Sequence, residues 1–442
     1  MIQTFFPQDR VARSLTVSTM AFALSSGVFY TVSTLYFTLV IGLSATTVGL
    51  GLGIAGGTGV LAAYVGGWLA DRVGAHHVQT VATGLNGVAL LAYTFVSDAV
   101  AFTLIACLAV ITRSVGSSAK QAMLARWYTG PERVEVRARM RVVTNVFIGL
   151  GTVAAAAALL IGTASAYRVA MVVAGVLLLA ATVPLAGLGR QVPELAARMT
   201  AVRERTASTG PSPLRDRTYI ASVACNTVVA TQFGLLTVGM PLWVATTDAP
   251  TAIVSVLLVL NTVVVATLQV RASRGTDDVR KAGSTVRRAS WLLAMACGLY
   301  ALAGYGNMIV ACVLFALAAF AHTMGEILGE AGGWGMAFEL ADQRSAGAYQ
   351  GLSQTGYAIA AMLSPILATT ALEHGTAGWA GLAALFVLAG TGAAAVARRA
   401  AVMIPADSAF VGDCRISSRT CQETSGTAGS VGRTPHRKEL AG

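Results

Sequence analysis

Apolar runs of about twenty residues, the length that carries an α-helix across a bilayer, recur from residue 13 almost to residue 398 with only short polar breaks between them. No soluble fold has a use for so many. Inside a bilayer the backbone N–H and C=O groups are satisfied only in a helix or in a closed barrel. Barrel strands would alternate apolar and polar residues, and these runs do not alternate. The chain is therefore read as an all-α integral membrane protein. Its spans fall at 13–37, 46–70, 78–96, 99–126, 139–162, 167–187, 218–244, 250–270, 289–305, 307–338, 347–372 and 376–398, twelve transmembrane helices in all. Charged residues make up only 12% of the chain, about half the share of a soluble domain.

The bases orient the chain. An even number of spans puts both termini on one side, and if that side is the cytoplasm nearly all of the 31 Lys and Arg lie there. The exceptions are Arg168, at an outer connection, and Arg113 and Lys120, inside the fourth span. Basic connections stay on the cytoplasmic side of a membrane, so both termini are expected to be cytoplasmic. Met1 to Arg13 lacks the basic region, short apolar core and small-residue site of a cleaved leader, so the first span is expected to be retained. Abundant arginine and alanine point to a bacterial inner membrane. The stretch 188–217 reads as a cytoplasmic linker between two six-helix bundles, 1–187 and 218–399, and 400–442 reads as a disordered tail. Equivalent helices of the two halves are offset by roughly 205 residues, which suggests parallel repeats about an axis normal to the membrane.

Several function classes find no support. The net charge of +11 is spread among the connections without a dense basic face, so no nucleic-acid partner is expected. Six cysteines form no close pair. His76, His77, His322, His374 and His436 include no i, i+4 couple of the kind that holds a metal on one helix face, and neither metal nor other cofactor is expected. No phosphate-binding loop and no nucleophile elbow occur, so the chain is not read as an ATPase or another enzyme. Gly51-Leu-Gly53-Ile-Ala-Gly56 matches a dinucleotide fingerprint in letters only, because no strand precedes it. The series Gly49, Gly53, Gly57 reads instead as a small-residue face for close helix packing.

The second span ends in a tight polar hairpin, Gly66-Gly67-Trp68-Leu69-Ala70-Asp71-Arg72-Val73-Gly74-Ala75-His76-His77-Val78. Gly67 lets another helix approach, Gly74 permits the turn, and the Asp71 carboxylate can face a neighbouring helix's N-terminal dipole. Gly67-x-x-x-Asp71-Arg72-x-Gly74 resembles the loop 2–3 signature of the major facilitator superfamily of secondary transporters. The resemblance implies a gating role for Gly67, Asp71, Arg72 and Gly74. Family members usually carry Arg or Lys where this chain has His76 and His77.

Ionisable residues inside spans are costly in lipid and tend to face a cavity or a partner. Arg113 and Lys120 lie seven apart on the fourth span; His322, Glu326 and Glu330 lie at i, i+4, i+8 on the tenth. Counted inward at ~1.5 Å per residue, Arg113 is about as deep as His322 and Lys120 about as deep as Glu326, so base is expected to face acid across a central cavity. Two readings are open: a proton-carrying site, or an ion pair that only fixes the halves. Tyr30, Gln121, Asn226 and Gln232 offer polar groups on the helices expected to line the cavity, with Glu330 at its inner end.

Arg113 with Gly116, and the run His322-Thr-Met-Gly-Glu326 through Gly332-Gly333-Trp334-Gly335, resemble regions of bacterial twelve-helix drug/proton antiporters. That likeness implies proton coupling through Glu326, Arg113, Lys120 and His322, and efflux of small amphipathic organic molecules by alternating access, as in multidrug resistance. The fifth span lacks the Gly-Pro pair of many antiporters, having Asn145-Val-Phe-Ile-Gly149-Leu-Gly151. A proton-coupled uptake symporter of the same fold is the alternative; a membrane-embedded enzyme or a non-transporting sensor is the alternative of another class. The expected partners are a small-molecule substrate, protons and the lipid bilayer.

Overall fold

A computed structural model describes residues 7–205 and 212–403, with the side chains of 200–205 left aside. Among the described residues the chain is helical throughout, with no strand. The long helices are α1 (Arg10–Leu35), α2 (Ala45–Leu69), α3 (Ala75–Ala92), α4 (Ala99–Trp127), α5 (Gly130–Ile161) and α6 (Ala164–Ala180). After them come α7 (Pro193–Arg205), α8 (Arg217–Ala230), α9 (Ile253–Ala272), α10 (Val279–Ala303), α11 (Met308–Glu339), α12 (Ala346–Glu373) and α13 (Gly375–Met403).

Polar residues in the short connections decide where helices start. A helix leaves its first N–H groups unpaired, and a short polar side chain just before it accepts one of them. Asp9 accepts from Ala12 N at 2.7 Å, Asp98 from Val100 N and Ala101 N at 2.9 Å, and Asp278 from Lys281 N at 2.8 Å. Asp216 and Asn307 do the same for α8 and α11. Large apolar side chains such as Leu61, Phe95, Leu160 and Val256 stay exposed on the outer faces. In a soluble globule that would be a liability; in lipid it is the solvated state.

Ten segments of the described residues are long and apolar enough to cross a membrane. One of them, Ala45–Phe95, contains both α2 and α3 and breaks at Gly74, whose φ of 104° suits a residue without a side chain. Another helix, α10, is 25 residues long but does not qualify, because Arg280, Lys281, Arg287 and Arg288 crowd its first turns. The stretch expected to be a plain linker contains α7, which packs against the Ala70–Gly74 turn and buries Leu195 and Met199. Residues 206–211 of that linker lie outside the described residues. So does the tail expected to be disordered, apart from its first residues, which continue α13 to Met403.

The small-residue face of α2 is not the one expected from sequence. Gly49, Gly53 and Gly57 have nothing within 4 Å of where a side chain would begin. Close contact with α4 is made instead by Gly51, Gly59 and Gly66, where an added Cβ would lie 2.7 Å from Phe102, 2.6 Å from Val110 and 2.6 Å from the Val115 Cα. The i, i+4 spacing identified a stripe of small residues, but only the neighbouring helix determines which stripe is covered. A contrast tests this packing. Gly66→Leu should destabilise the protein by about 1–3 kcal/mol or more, as overpacking against backbone does, and lower the midpoint of thermal unfolding in detergent. Gly53→Leu should leave that midpoint unchanged.

Candidate functional site

Where α2 crosses α12, the backbones meet without intervening side chains. An added Cβ on Gly67 would lie 2.7 Å from the Gly351 Cα, and one on Gly351 would lie 2.9 Å from the Tyr64 carbonyl. Such contact needs glycine on both helices. It brings the hairpin to the N-terminus of α12. There the Asp71 carboxylate accepts the N–H groups of Gly347 at 2.7 Å and Ala348 at 2.8 Å, and pairs with Arg126 at the end of α4. Two unpaired backbone donors, the helix dipole and a guanidinium all favour the anion at that point. In the α11–α12 connection, the Arg344 guanidinium holds the Asp342 carboxyl below its usual range, which fixes the approach to α12.

A second pair closes the same end: Arg133 near the start of α5 with Glu339 at the end of α11, the guanidinium 4.9 Å from the Phe338 ring. Arg72 does not join this latch. It is exposed and stacks on Trp68 at 3.8 Å, and Arg126 holds the place beside Asp71. His76 is buried with its ring 3.9 Å from that of His77, which stays exposed.

Farther in, a cavity of about 220 Å³ opens between α4, α5, α11 and α12. Lys120 and Gln121 come from α4, Arg137 and Arg141 from α5, Glu330 and Trp334 from α11, and Tyr357 from α12. Arg141 donates to Glu326 at 2.7 Å and stands 4.0 Å from Glu330. The second oxygen of Glu326 accepts from Asn261 of α9 at 2.8 Å, and Tyr357 donates to Glu330 at 2.9 Å. Every oxygen of the two buried carboxylates thus faces a donor or a base, as burial of charge requires. A smaller cavity of about 130 Å³ adjoins it, lined by Arg113, Lys120, Thr83 and Asn86.

The pairing of base and acid expected from depth is not formed. Neither Lys120 nor Arg113 meets Glu326; Arg141 does. Arg113 lies between the rings of Phe22 at 5.6 Å and Tyr30 at 5.0 Å, and His322 is bonded to Gln232 at 2.7 Å. Of the residues expected in the cavity, Lys120, Gln121 and Glu330 line it. Tyr30, Gln232 and Asn226 are outside its lining: Tyr30 sits with Arg113, Gln232 with His322, and Asn226 against Gly333. The changed partner comes from α5, whose Arg141 face packs on α11. Placing the fifth span at 139 put Arg133 and Arg137 in a connection and Arg141 in the first turn of the span, whereas the helix begins at Gly130. Arg133, Arg137 and Arg141 share the i, i+4, i+8 spacing of His322, Glu326 and Glu330 on α11, and that spacing is the sequence signal for them.

The Arg141–Glu326 pair should behave as a unit. Arg141→Met alone should destabilise by about 2–3 kcal/mol, less than the ~3–5 kcal/mol of a fully buried pair because a quarter (24%) of the arginine side chain is exposed. Adding Glu326→Gln should recover part of the loss, with a non-additivity of about 1 kcal/mol or more in thermal unfolding. Strict additivity would mean the pair is not coupled.

A model of the Major Facilitator Superfamily matches residues 15–365. Solved structures share the fold at low identity, among them the human organic anion transporter MFSD10 (TETRAN), with a TM-score of 0.64, 16% identity, and coverage of 88% of this chain and 100% of that one. The proton:xylose symporter XylE bound to 6-bromo-6-deoxy-D-glucose has a TM-score of 0.62 at 15% identity, covering 86% of this chain and 94% of that one. A bacterial homologue of the iron transporter ferroportin, in an outward-facing state with soaked iron, has 0.64 at 14%, covering 88% and 98%. A search of curated protein sequences finds no match. The family match spans most of the chain and agrees with its all-helical membrane fold: the protein belongs to the Major Facilitator Superfamily and is a transporter rather than an enzyme.

Proposed function

We propose that this protein is a proton-coupled secondary active transporter of small organic molecules, working by alternating access, with Glu326 as the proton site and Arg141 as its counter-charge. The observation that carries this reading is the Arg141–Glu326 pair beside a cavity that also holds Glu330 and Tyr357. With Glu326 ionised, the pair ties α5 to α11 and α9. A proton on Glu326 removes the charge, frees Arg141 and loosens that tie. Counting Ala45–Phe95 as two crossings and adding Val279–Ala303 gives twelve, arranged as bundles 1–187 and 218–399 that rock about the cavity. The basic connections support cytoplasmic termini, and the abundant arginine and alanine support a bacterial inner membrane. On that reading the Asp71–Arg126 latch is the inner gate.

The resemblance to drug/proton antiporters implies exchange, with efflux of amphipathic molecules. The partner of Glu326 favours the opposite sign of coupling. A substrate that competes with a proton for Glu326 would be a cation, and the cavity already carries Lys120, Arg137 and Arg141. Protonation instead releases a base to the substrate, so proton and substrate load together, as in co-transport.

Proteoliposomes with an imposed proton gradient test both points. Substrate should accumulate on the side to which protons flow; extrusion against proton entry would restore the exchange reading. Glu326→Gln should abolish uphill transport while keeping downhill flux. A Glu326→Gln protein that still builds a gradient at the normal rate would place the coupling site elsewhere. Asp71→Asn should slow transport in both directions with folded protein retained, whereas wild-type turnover in that variant would remove Asp71 from the gate.

A further inference from the structure

The two adjoining cavities contain more positive charge than their acids balance. Arg113, Lys120, Arg137 and Arg141 line them, and the carboxylates within reach are Glu330 and, through its bond to Arg141, Glu326. Glu326 balances the charge of Arg141, and Glu330 is held by Tyr357 with Arg141 at 4.0 Å. Lys120 lines both cavities and has no acidic partner among the described residues. The smaller cavity has no acid in its lining at all.

The hydrogen-bond inventory is unbalanced in the same sense. Buried donors without an acceptor include Nε and Nη1 of Arg137, Nε of Arg141 and Nε1 of Trp334, all from residues that line the larger cavity. The corresponding unpaired acceptor on that lining is a single atom, Oε1 of Gln121. Unmet buried donors and uncompensated charge each cost free energy, and a ligand that brings oxygen acceptors and negative charge removes both costs together. Around these groups lie Phe233, Met140, Leu124 and the Trp334 ring, with Arg137 stacked on Trp334 at 4.7 Å and Arg141 on Phe233 at 4.9 Å. A planar guanidinium already stacked on an aromatic face is set to bind a carboxylate or sulfonate in its own plane.

We infer that the substrate is an organic anion, a carboxylate or sulfonate on an apolar, preferably aromatic, body. Its acid group sits between Arg137 and Lys120, and its body lies against Trp334 and Phe233. The inference deepens the transporter reading and rests on this cavity being the substrate site. It does not depend on which group carries the proton. A cation of the same shape is rejected because it would add charge to a site already in surplus.

The test is equilibrium binding to purified full-length protein in detergent, without any proton gradient, so that failure of proton coupling leaves it unaffected. The probes are a biphenyl carboxylate, a biphenyl sulfonate, the neutral carboxamide and the biphenyl methylamine. The two acids should bind at least about tenfold more tightly than amide or amine, the scale of one charge-assisted hydrogen bond. Arg137→Gln and Lys120→Gln should each erase most of that preference, and Arg137→Lys should restore part of it while also reporting that the site still folds. Glu326→Gln, which disables the proposed coupling, should keep or strengthen acid binding because it leaves Arg141 without its own carboxylate. Equal binding of acid and amide, tighter binding of the amine, binding of none of the four, or an acid preference untouched by both Gln variants would overturn the inference.

Discussion

Charge inside an apolar bundle has to be met by charge or hydrogen bonds from the bundle itself, and the architecture around the cavity follows from that constraint. Arg133, Arg137 and Arg141 lie on one stripe of α5, and Glu326, Glu330 and Glu339 lie along α11. The outer members pair: Arg133 with Glu339 and Arg141 with Glu326. Arg137, between them, stacks on Trp334 and Phe338. The stripes hold α5 and α11 in register as a zipper would, while the aromatic rings between the bases supply apolar contact and cation–π attraction. The zipper is basic where it meets the cavity, because α4 adds Lys120 without adding an acid.

The hairpin end solves a different problem. Two helices from opposite parts of the chain, α2 and α12, approach until backbone touches backbone at Gly67, Gly347 and Gly351. Such contact gives dispersion without side-chain entropy loss and is common where lipid supplies no hydrophobic drive. Asp71 makes the contact specific, because its two oxygens accept from the first free N–H groups of α12. Shifting α12 by one residue would misalign both bonds. On the gating reading proposed above, this contact is the one that would have to release.

Outside this end the helix α7 lies against the hairpin turn with Leu195 and Met199 buried. The connection between the two parts of the chain is therefore in contact with the latch, although its composition of scattered bases, prolines and threonines reads as a loose strap. Helix formation there depends on the apolar pair Leu195 and Met199 finding a surface, an i, i+4 couple too short to stand out among charges.

Much of the protein was legible in the sequence because a bilayer leaves the backbone few choices. Long apolar runs can only become helices, and the Gly67–Asp71–Gly74 hairpin can turn in few ways. The i, i+4, i+8 spacing of His322, Glu326 and Glu330 sets them on one face of a helix. The sequence could not decide partners. Glu326 pairs with Arg141 rather than Lys120 because the face of α5 that carries Arg141 packs on α11, and α5 itself begins at Gly130, some nine residues before its apolar run does. The covered stripe of α2 is Gly51, Gly59 and Gly66 because α4 lies on that side. Periodicity along one helix determines what shares a face. Which face meets which neighbour depends on the rotation and start of the other helix, and only the tertiary packing decides those, since lipid accepts any apolar face equally well.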